Sequence, residues 1–396
     1  MDMINIGYSG ASTAQVELNV TAQNTANTMT TGYTRQVAEI STIGASGGSP
    51  NSAGNGVQVD SIRRVSNQYQ VNQVWYAASD YGYYSTQQGY LTQLEAVLSD
   101  DNSSLSGGFD NFFAALNEAT TSPDDSALRE QVISEAGALS LRIDNTLDYI
   151  DSQSTEIISQ QQAMVSQINT LTSGIASYNQ QIAQAEANGD NASALYDARD
   201  QMVEELSGMM DVQVNIDDQG NYNVTLKNGQ PLVSGQQSST IALETNADGT
   251  PTMSLTFAGT TSTMTTDTGG SLGALFDYQN DVLTPLTDTI NSMASQFADA
   301  VNNQLAQGYD LNGNPGEPLF IYDASNADGP LTVNPDVTLA DLDKLCGKFH
   351  ISGLPVVDKE NKLVGIITNR DMRFIASEDY DTLKVKDVMT KENLVT

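Results

Sequence analysis

The sequence predicts a mainly α protein with a β insert: an elongated bundle of long heptad helices, a small β domain set into it, and a C-terminal α/β half-module. Three observations carry that expectation. Apolar residues recur at alternating steps of three and four over a stretch far longer than an ordinary globular helix. The period then drops to two over residues 211–266. Composition changes abruptly after residue 330.

The longest seam runs Ile143, Leu147, Ile150, Ile157, Met164, Ile168, Leu171, Ile175, Tyr178, Ile182, with Ser154 and Gln161 filling the gaps. A helix from Ala127 to Ala187 would be roughly 90 Å long at 1.5 Å per residue and must pack against other helices. Three further stripes are candidates: Val71, Val74, Ala78, Tyr81, Leu91, Leu94, Leu98; then Leu195, Met202, Leu206, Met209; then Leu272 through Leu305, with Pro285 expected to kink the last. Val212, Val214 and Ile216 alternate with polar residues, Asp217 to Asn221 supplies a turn, and Tyr222, Val224 and Leu226 alternate again, which reads as a hairpin. Residues Ser12 to Thr31 have helical spacing with Ala11, Ala14, Leu18, Ala22 and Met29 on one face. That face is too poor in large apolar groups to hold a helix alone and should fray until a partner covers it.

The chain has 396 residues, 49 acidic and 16 basic, for a net charge of −33. That balance repels nucleic acid and anionic lipid, so neither is expected as a partner. One cysteine, Cys346, and one histidine, His350, exclude disulfide frameworks, Cys/His zinc clusters and Ser-His-Asp catalysis, and no catalytic or metal site is expected. Asp310, Asn312 and Asn314 hint at a calcium loop, but Pro315 stands where such a loop needs Gly and Ile321 where it needs Glu. No apolar run is long enough to span a membrane, and Met1 to Val20 has no cleaved-signal pattern. The net charge is −31 over the first 330 residues and −2 over the last 66, which carry seven lysines against one before them. The division expected is a helix with an extended segment (1–65), a long-helix rod (66–210), the β insert (211–266), a returning rod helix and loop (267–330) and the C-terminal module (331–396).

At Asn19 to Gln36 the chain reads as an Asn-rich helix, with Asn19, Asn24 and Asn27, running into Gly32-Tyr33-Thr34-Arg35-Gln36. This resembles the N-terminal signature of the axial proteins of the bacterial flagellum, and within them the family of hook-associated protein 1. Gly54-Asn55-Gly56-Val57-Gln58-Val59 with Ile62-Arg63-Arg64, the segment Asp197-Ala198-Arg199-Asp200, and Gly308-Tyr309-Asp310-Leu311-Asn312-Gly313 add to the resemblance, which covers residues 1–330. It implies a structural, non-enzymatic protein, secreted unfolded through the flagellar type III export channel to the hook–filament junction. Its implied partners are the export apparatus, the hook protein, the second junction protein and further copies of itself in a ring. It also implies that the N-terminal helix pairs with a C-terminal axial helix, before which this chain is expected to be truncated. From the residues alone, Asn19, Asn24 and Asn27 also fit a solvated helical face, Gly32 an ordinary C-cap, and Arg63 and Arg64 surface charges.

Beyond residue 330 the order reads α-β-β-α. Thr338 and Asp341 form a capping box ahead of Leu339, Leu342, Leu345, Cys346 and Phe349 at helical spacing; Leu354 to Val357 and Leu363 to Thr368 are strands; a second helix starts near Asn369. Ser352-Gly353-Leu354-Pro355-Val356-Val357-Asp358 followed by Gly365-Ile366-Ile367-Thr368-Asn369-Arg370-Asp371 resembles a cystathionine-β-synthase-type (CBS) motif, in wording the first one inside IMP dehydrogenase. The resemblance implies an adenine-nucleotide contact such as ATP, with Asp371 on the ribose and Thr368 near phosphate, although these two residues equally make a capping box. Such motifs bind as tandem pairs, and the chain ends before a second one; the catalytic barrel and cysteine loop of IMP dehydrogenase are absent, and Cys346 fits a packing role. The expected whole is an apparent chimera: a structural flagellar protein joined to a foreign half-module by gene fusion or sequence misassembly. The alternative is a nucleotide-sensing CBS regulatory module on a helical scaffold.

Overall fold

The computed structural model describes residues 3–44, 54–100, 104–122, 125–246, 251–308, 316–326, 329–333, 353–357 and 363–368. The elements in order are α1 (Met3–Ala26), the hairpin strands β1 (Gln36–Thr42) and β2 (Val57–Arg64), α2 (Gln68–Leu98), α3 (Leu105–Thr121), α4 (Ser126–Asn188) and α5 (Ser193–Met209). The β insert follows with β3 (Val212–Ile216), β4 (Tyr222–Leu226), β5 (Pro231–Ser234), β6 (Gln237–Ser238), β7 (Thr240–Thr245), β8 (Pro251–Phe257) and β9 (Thr260–Met264). Then come α6 (Gly270–Asp277), a π-helical segment (Tyr278–Leu283), α7 (Thr284–Leu305), the pair β10 (Phe320–Tyr322) and β11 (Leu331–Val333), and the pair β12 (Gly353–Val357) and β13 (Leu363–Thr368). The chain forms two compact units, Met1–Gly89 with Ile157–Tyr278, and Tyr90–Glu156 with Gln279–Thr396.

The 63-residue α4 matches the heptad seam. Ile143, Ile150, Ile157, Ile168, Ile175 and Ile182 are buried along it, and Gln153, Gln161, Thr172 and Asn179 are buried at the same spacing. In the first unit α4 packs with α2, α5 and α6 around a core of Trp75, Ile168, Ile175, Val203, Leu206, Leu272 and Phe276, which continues into the β insert through Val224, Leu232, Ile241 and Leu255. The insert is a four-stranded antiparallel sheet, β3-β4-β5-β6, and a three-stranded one, β7-β8-β9.

Two asparagines of α4 lay the insert on the helix. Asn169 donates to Ile241 O and accepts from Ile241 N, both at 2.8 Å. Asn179, ten residues on, donates to Tyr222 O at 2.9 Å and accepts from Tyr222 N at 3.0 Å. A carboxamide offers the donor and acceptor of a peptide unit, so each asparagine acts as one more strand residue. In the second unit Asn302 of α7 does the same, donating to Phe320 O at 2.8 Å and accepting from Phe320 N at 3.1 Å. There Phe297 lies edge-on to Phe109 and Phe112 at 5.0 and 5.3 Å, joining α7 to α3.

Several expectations are corrected. Helix α3 had no counterpart in the apolar stripes; it is a short helix capped by Ser104, which accepts from Gly107 N at 3.3 Å, and its Phe112 and Ala115 are buried. The segment after α1 is an antiparallel hairpin with Gln36 opposite Arg64. Helix α1 starts at Met3 rather than Ser12 and ends at Ala26 rather than Thr31. Its covered face carries Thr13 and Val20, not Leu18, because the unforeseen hairpin lies on that side; Leu18 is 69% exposed. The helical stripe with Pro285 does not simply kink. It is interrupted by the π-helical segment, where the Thr284 hydroxyl donates to Gln279 O at 3.0 Å.

On α2, Val74 and Tyr81 face solvent, while Trp75, Ser79 and Gly82 are inside. The reason is close approach: a Cβ on Gly82 would overlap the carbonyl oxygen of Gly208 on α5. Gly82→Ala should therefore destabilise the protein by about 1–3 kcal/mol, the cost of overpacking. Gly89→Ala on the same helix, with open space at its Cβ, should stabilise it by about 0.5–1 kcal/mol. Urea midpoints of the two variants check the pair.

Candidate functional site

Helix α1 and the β1–β2 hairpin form an arm, held together at both ends. At one end, Ser9 Oγ accepts from Val57 N at 3.2 Å and Gly56, at φ 110°, leaves no room for a side chain against it. At the other, the Asn24 carboxamide donates to Gln36 O and accepts from Gln36 N, both at 2.9 Å, and also accepts from the Tyr33 hydroxyl at 2.8 Å. Asn24 is therefore no solvated residue: it closes the loop between helix and hairpin. Asn27 donates to Gln23 O at 2.9 Å and accepts from the Thr30 hydroxyl at 3.1 Å. Gly32 turns the chain at φ 78° beside Gln201 of α5. Asn19 and Arg35 are exposed, though the Arg35 carbonyl accepts from Val65 N at 2.8 Å.

The arm meets α5 through a charge clasp. The Arg64 side chain, 11% exposed, reaches Asp197 with Nε at 2.9 Å, pairs Nη2 with Asp200, and donates to the Thr34 hydroxyl at 3.0 Å. Thr34 N donates to Asp197 at 3.3 Å. Arg63, in contrast, is exposed and pairs with Glu39 on the same hairpin. The expectation of two surface charges thus holds for Arg63 and fails for Arg64, because strand alternation turns neighbouring side chains to opposite faces. The clasp joins three sequence segments that stand far apart in the chain: Gly32–Gln36, Ile62–Arg64 and Asp197–Asp200.

Behind the clasp lies a residue that sequence periodicity could not place. Arg199 sits on the buried side of α5 at 1% exposure, with Val203 and Leu206. Its Nη1 donates to Asn179 Oδ1 at 2.7 Å and to Gly220 O at 3.0 Å, and its guanidinium stands 3.5 Å from the centre of the Tyr222 ring and 5.0 Å from that of Tyr196. Burial pulls its pKa below the ordinary arginine value, and Tyr222, Asp200 and Tyr196 act against that pull. Tyr222 is also edge-on to Trp75 at 6.0 Å, and its hydroxyl donates to Asp200 at 2.7 Å. The alternation that marks Tyr222 as a strand residue carries no trace of these contacts. These contacts tie the arm, α5 and β4 to one another.

Of the residues expected at a nucleotide contact, Thr368 ends β13, opposite Gly353, and Asp371 lies outside the described residues. So do the calcium-like loop at 309–315, Cys346, His350 and both helices expected in the tail. The two strands expected there are present as β12 and β13. Among the described residues no group of three or more Cys, His, Asp or Glu could hold a metal, and no helix is long and apolar enough to cross a membrane.

Comparison with known proteins gives two families for one chain. The profile of the flagellar hook-associated protein FlgK helical domain matches residues 91–320, and that of the CBS domain matches residues 327–378. Flagellar hook-associated protein 1 of Salmonella typhimurium is 31% identical over 325 residues, 80% of this chain and 59% of that protein. The protein of the same name from Bacillus subtilis is 32% identical over 221 residues, 53% of this chain and 43% of that one. The structure of the flagellar hook junction protein FlgK from Burkholderia pseudomallei superposes with a TM-score of 0.59 at 27% identity, over 76% of this chain and 56% of that one. Inosine-5'-monophosphate dehydrogenase of Bifidobacterium longum is 98% identical over 67 residues, 17% of this chain and 12% of the enzyme. The chain thus spans about half the length of its hook-associated relatives, 43–59%, and a small part of the dehydrogenase.

The buried Tyr222 and the half-buried Tyr196 should make the site sensitive to alkali. Burial first, then the charge of Asp200, raises the Tyr222 pKa above the ordinary 10.0; burial and the bond to Glu186 push Tyr196 up to about 12. Both phenols keep their protons in the fold beyond the pH at which an unfolded tyrosine loses its own. Each contribution is complete below pH 10 and shrinks as pH rises toward the folded value, about 12 for Tyr196 and higher for Tyr222. Tyr222→Phe should lower stability at pH 7 by about 0.5–1.5 kcal/mol, one net hydrogen bond. It should also shrink the further loss between pH 10 and 12, as read from melting temperatures across that range.

Proposed function

The chain belongs to the flagellar hook-associated protein 1 family, and from that premise we propose that it is a structural component of the bacterial flagellum that joins hook to filament. The match to the family over 80% of the chain carries this reading. The geometry supports it: Asn24, Gly32, Tyr33, Thr34 and Gln36 build the arm and dock it on α5, and their role is assembly rather than catalysis. Asn19, Asn27 and Arg35 belong to the same motif, with Asn19 and Arg35 presented outward to neighbouring subunits. The partners are other axial proteins, namely the hook protein, the second junction protein and further copies of this chain, and the route outward is the flagellar export channel. Functionally the chain divides into the axial arm (1–65), the rod (66–210 and 267–330), the inserted β domain (211–266) and a CBS-like tail (331–396).

The tail has a separate history. Its 98% identity to one protein against 31% for the remainder to another means that the two stretches diverged from those relatives over very different intervals. It is a CBS-like segment similar to part of a dehydrogenase, joined to a structural protein. Thr368 and Asp371 are the residues through which an adenine nucleotide would be held.

Isolated hooks incubated with the full chain should carry it at their distal ends by immunogold labelling. Bare hook ends, under conditions in which a hook-associated protein 1 of known function labels them, would refute the structural role. Titration with ATP should show no saturable binding at about millimolar concentration; stoichiometric binding lost in Asp371→Ala would favour the nucleotide-sensing alternative. A continuous reading frame across codons 325 to 340 on a single long sequencing read would establish the join as genetic.

A further inference from the structure

We infer that Asp200 couples the N-terminal arm to the inserted β sheet, so that strain in one is transmitted to the other. Its two carboxylate oxygens are divided between them: Oδ2 takes the Arg64 guanidinium at the end of β2, and Oδ1 takes the Tyr222 hydroxyl of β4 at 2.7 Å. The side chain is only 15% exposed, so water does not readily replace either donor, and charge-assisted bonds in such surroundings polarise one another.

Both ends of this bridge are rigidly held. Tyr222 has its backbone N–H and C=O on Asn179 and its ring between Arg199 and Trp75. Arg64 is shared with Asp197 and Thr34, the residues on which the turn after Gly32 closes. When Tyr222 loses its hydroxyl, Asp200 is free to turn and Arg64 is left mainly with Asp197. When Arg64 is lost, the carboxylate is drawn toward the sheet and the surroundings of Trp75 change. Coupling through a shared carboxylate is reciprocal, which gives it two independent readouts. The inference does not depend on where the protein acts in the cell, so a failed hook-binding experiment leaves it standing, and the converse also holds.

Hydrogen exchange on the full chain provides the first readout. In Tyr222→Phe, β2 amides should exchange about fivefold faster, the factor of one ordinary net hydrogen bond, while α7 amides keep their rate. In Arg64→Met the same amides should be faster, and adding Tyr222→Phe should bring no further gain. The second readout is the fluorescence of Trp75, the chain's one tryptophan, whose emission should shift in Arg64→Met through Asp200 and Tyr222. A second route from Arg64 runs by the Tyr196 ring and Arg199, so the shift must also appear in Asp200→Asn, which leaves that route in place. Unchanged β2 exchange in Tyr222→Phe, or effects that multiply independently in the double variant, would overturn the inference. Should Tyr222→Phe fail to fold, Asp200→Asn replaces it: β2 exchange and Trp75 emission must then both change, and a change in one alone refutes the coupling.

Discussion

A carboxamide carries the same donor and acceptor as a peptide unit, and four asparagines on three helices of this protein use that equivalence to seat extended backbone. Asn24 holds Gln36, Asn169 holds Ile241, Asn179 holds Tyr222 and Asn302 holds Phe320, each through both the N–H and the C=O of the residue. Strand edges laid against a helix would otherwise leave backbone groups without partners, at about 1–3 kcal/mol for each buried one. An aliphatic contact could bury the same area but could not fix the register. The arm, the insert and the β10–β11 pair therefore owe their placement to a directional interaction, with apolar packing filling in around it.

That explains which parts of the fold could be read from the residues. The 63-residue α4 and the alternating strands β3 and β4 follow from hydrophobic periodicity, since Ile143 to Ile182 bury one stripe and Val212 to Leu226 obey a period of two. The arm hairpin and α3 do not, because Asn24 and Ser9 hold the first with polar bonds and a phenylalanine cluster distant in sequence completes the second. On α2 the inward face mixes Trp75 and Leu94 with Ser79 and Gly82, the glycine standing where the backbone of α5 comes close. Arg199 defies periodicity for a related reason, its charge being met by ring faces and carbonyls that no local pattern foretells. Of the candidate site, the segments Gly32–Gln36, Ile62–Arg64 and Asp197–Asp200 were all visible in the sequence; their convergence was not.

Scarcity of cations sharpens the picture. The first 330 residues hold seven lysines and arginines, and five are engaged in specific contacts: Arg63 with Glu39, Arg64 with Asp197 and Asp200, Arg142 with Ser104 O at 2.9 Å, Arg199 with Asn179, and Lys227 with Asp211 at 2.5 Å. In a chain of net charge −33 each such contact also relieves repulsion among carboxylates. The contacts differ in exposure, so they differ in response to salt: Arg63–Glu39 lies open to screening, whereas Arg64 and Arg199 are sheltered from it.

The same scarcity determines where a protease specific for lysine and arginine would first cut. Arg35 lies exposed between the Gly32 turn and β1, and Arg63 stands outward on β2, while Arg64 and Arg199 are folded in and Arg129 and Arg142 sit within the continuous α4. Lys227, exposed in the turn after β4, is a third such site. Early cleavage would excise the hairpin, strip α1 from the body and open the insert between β4 and β5.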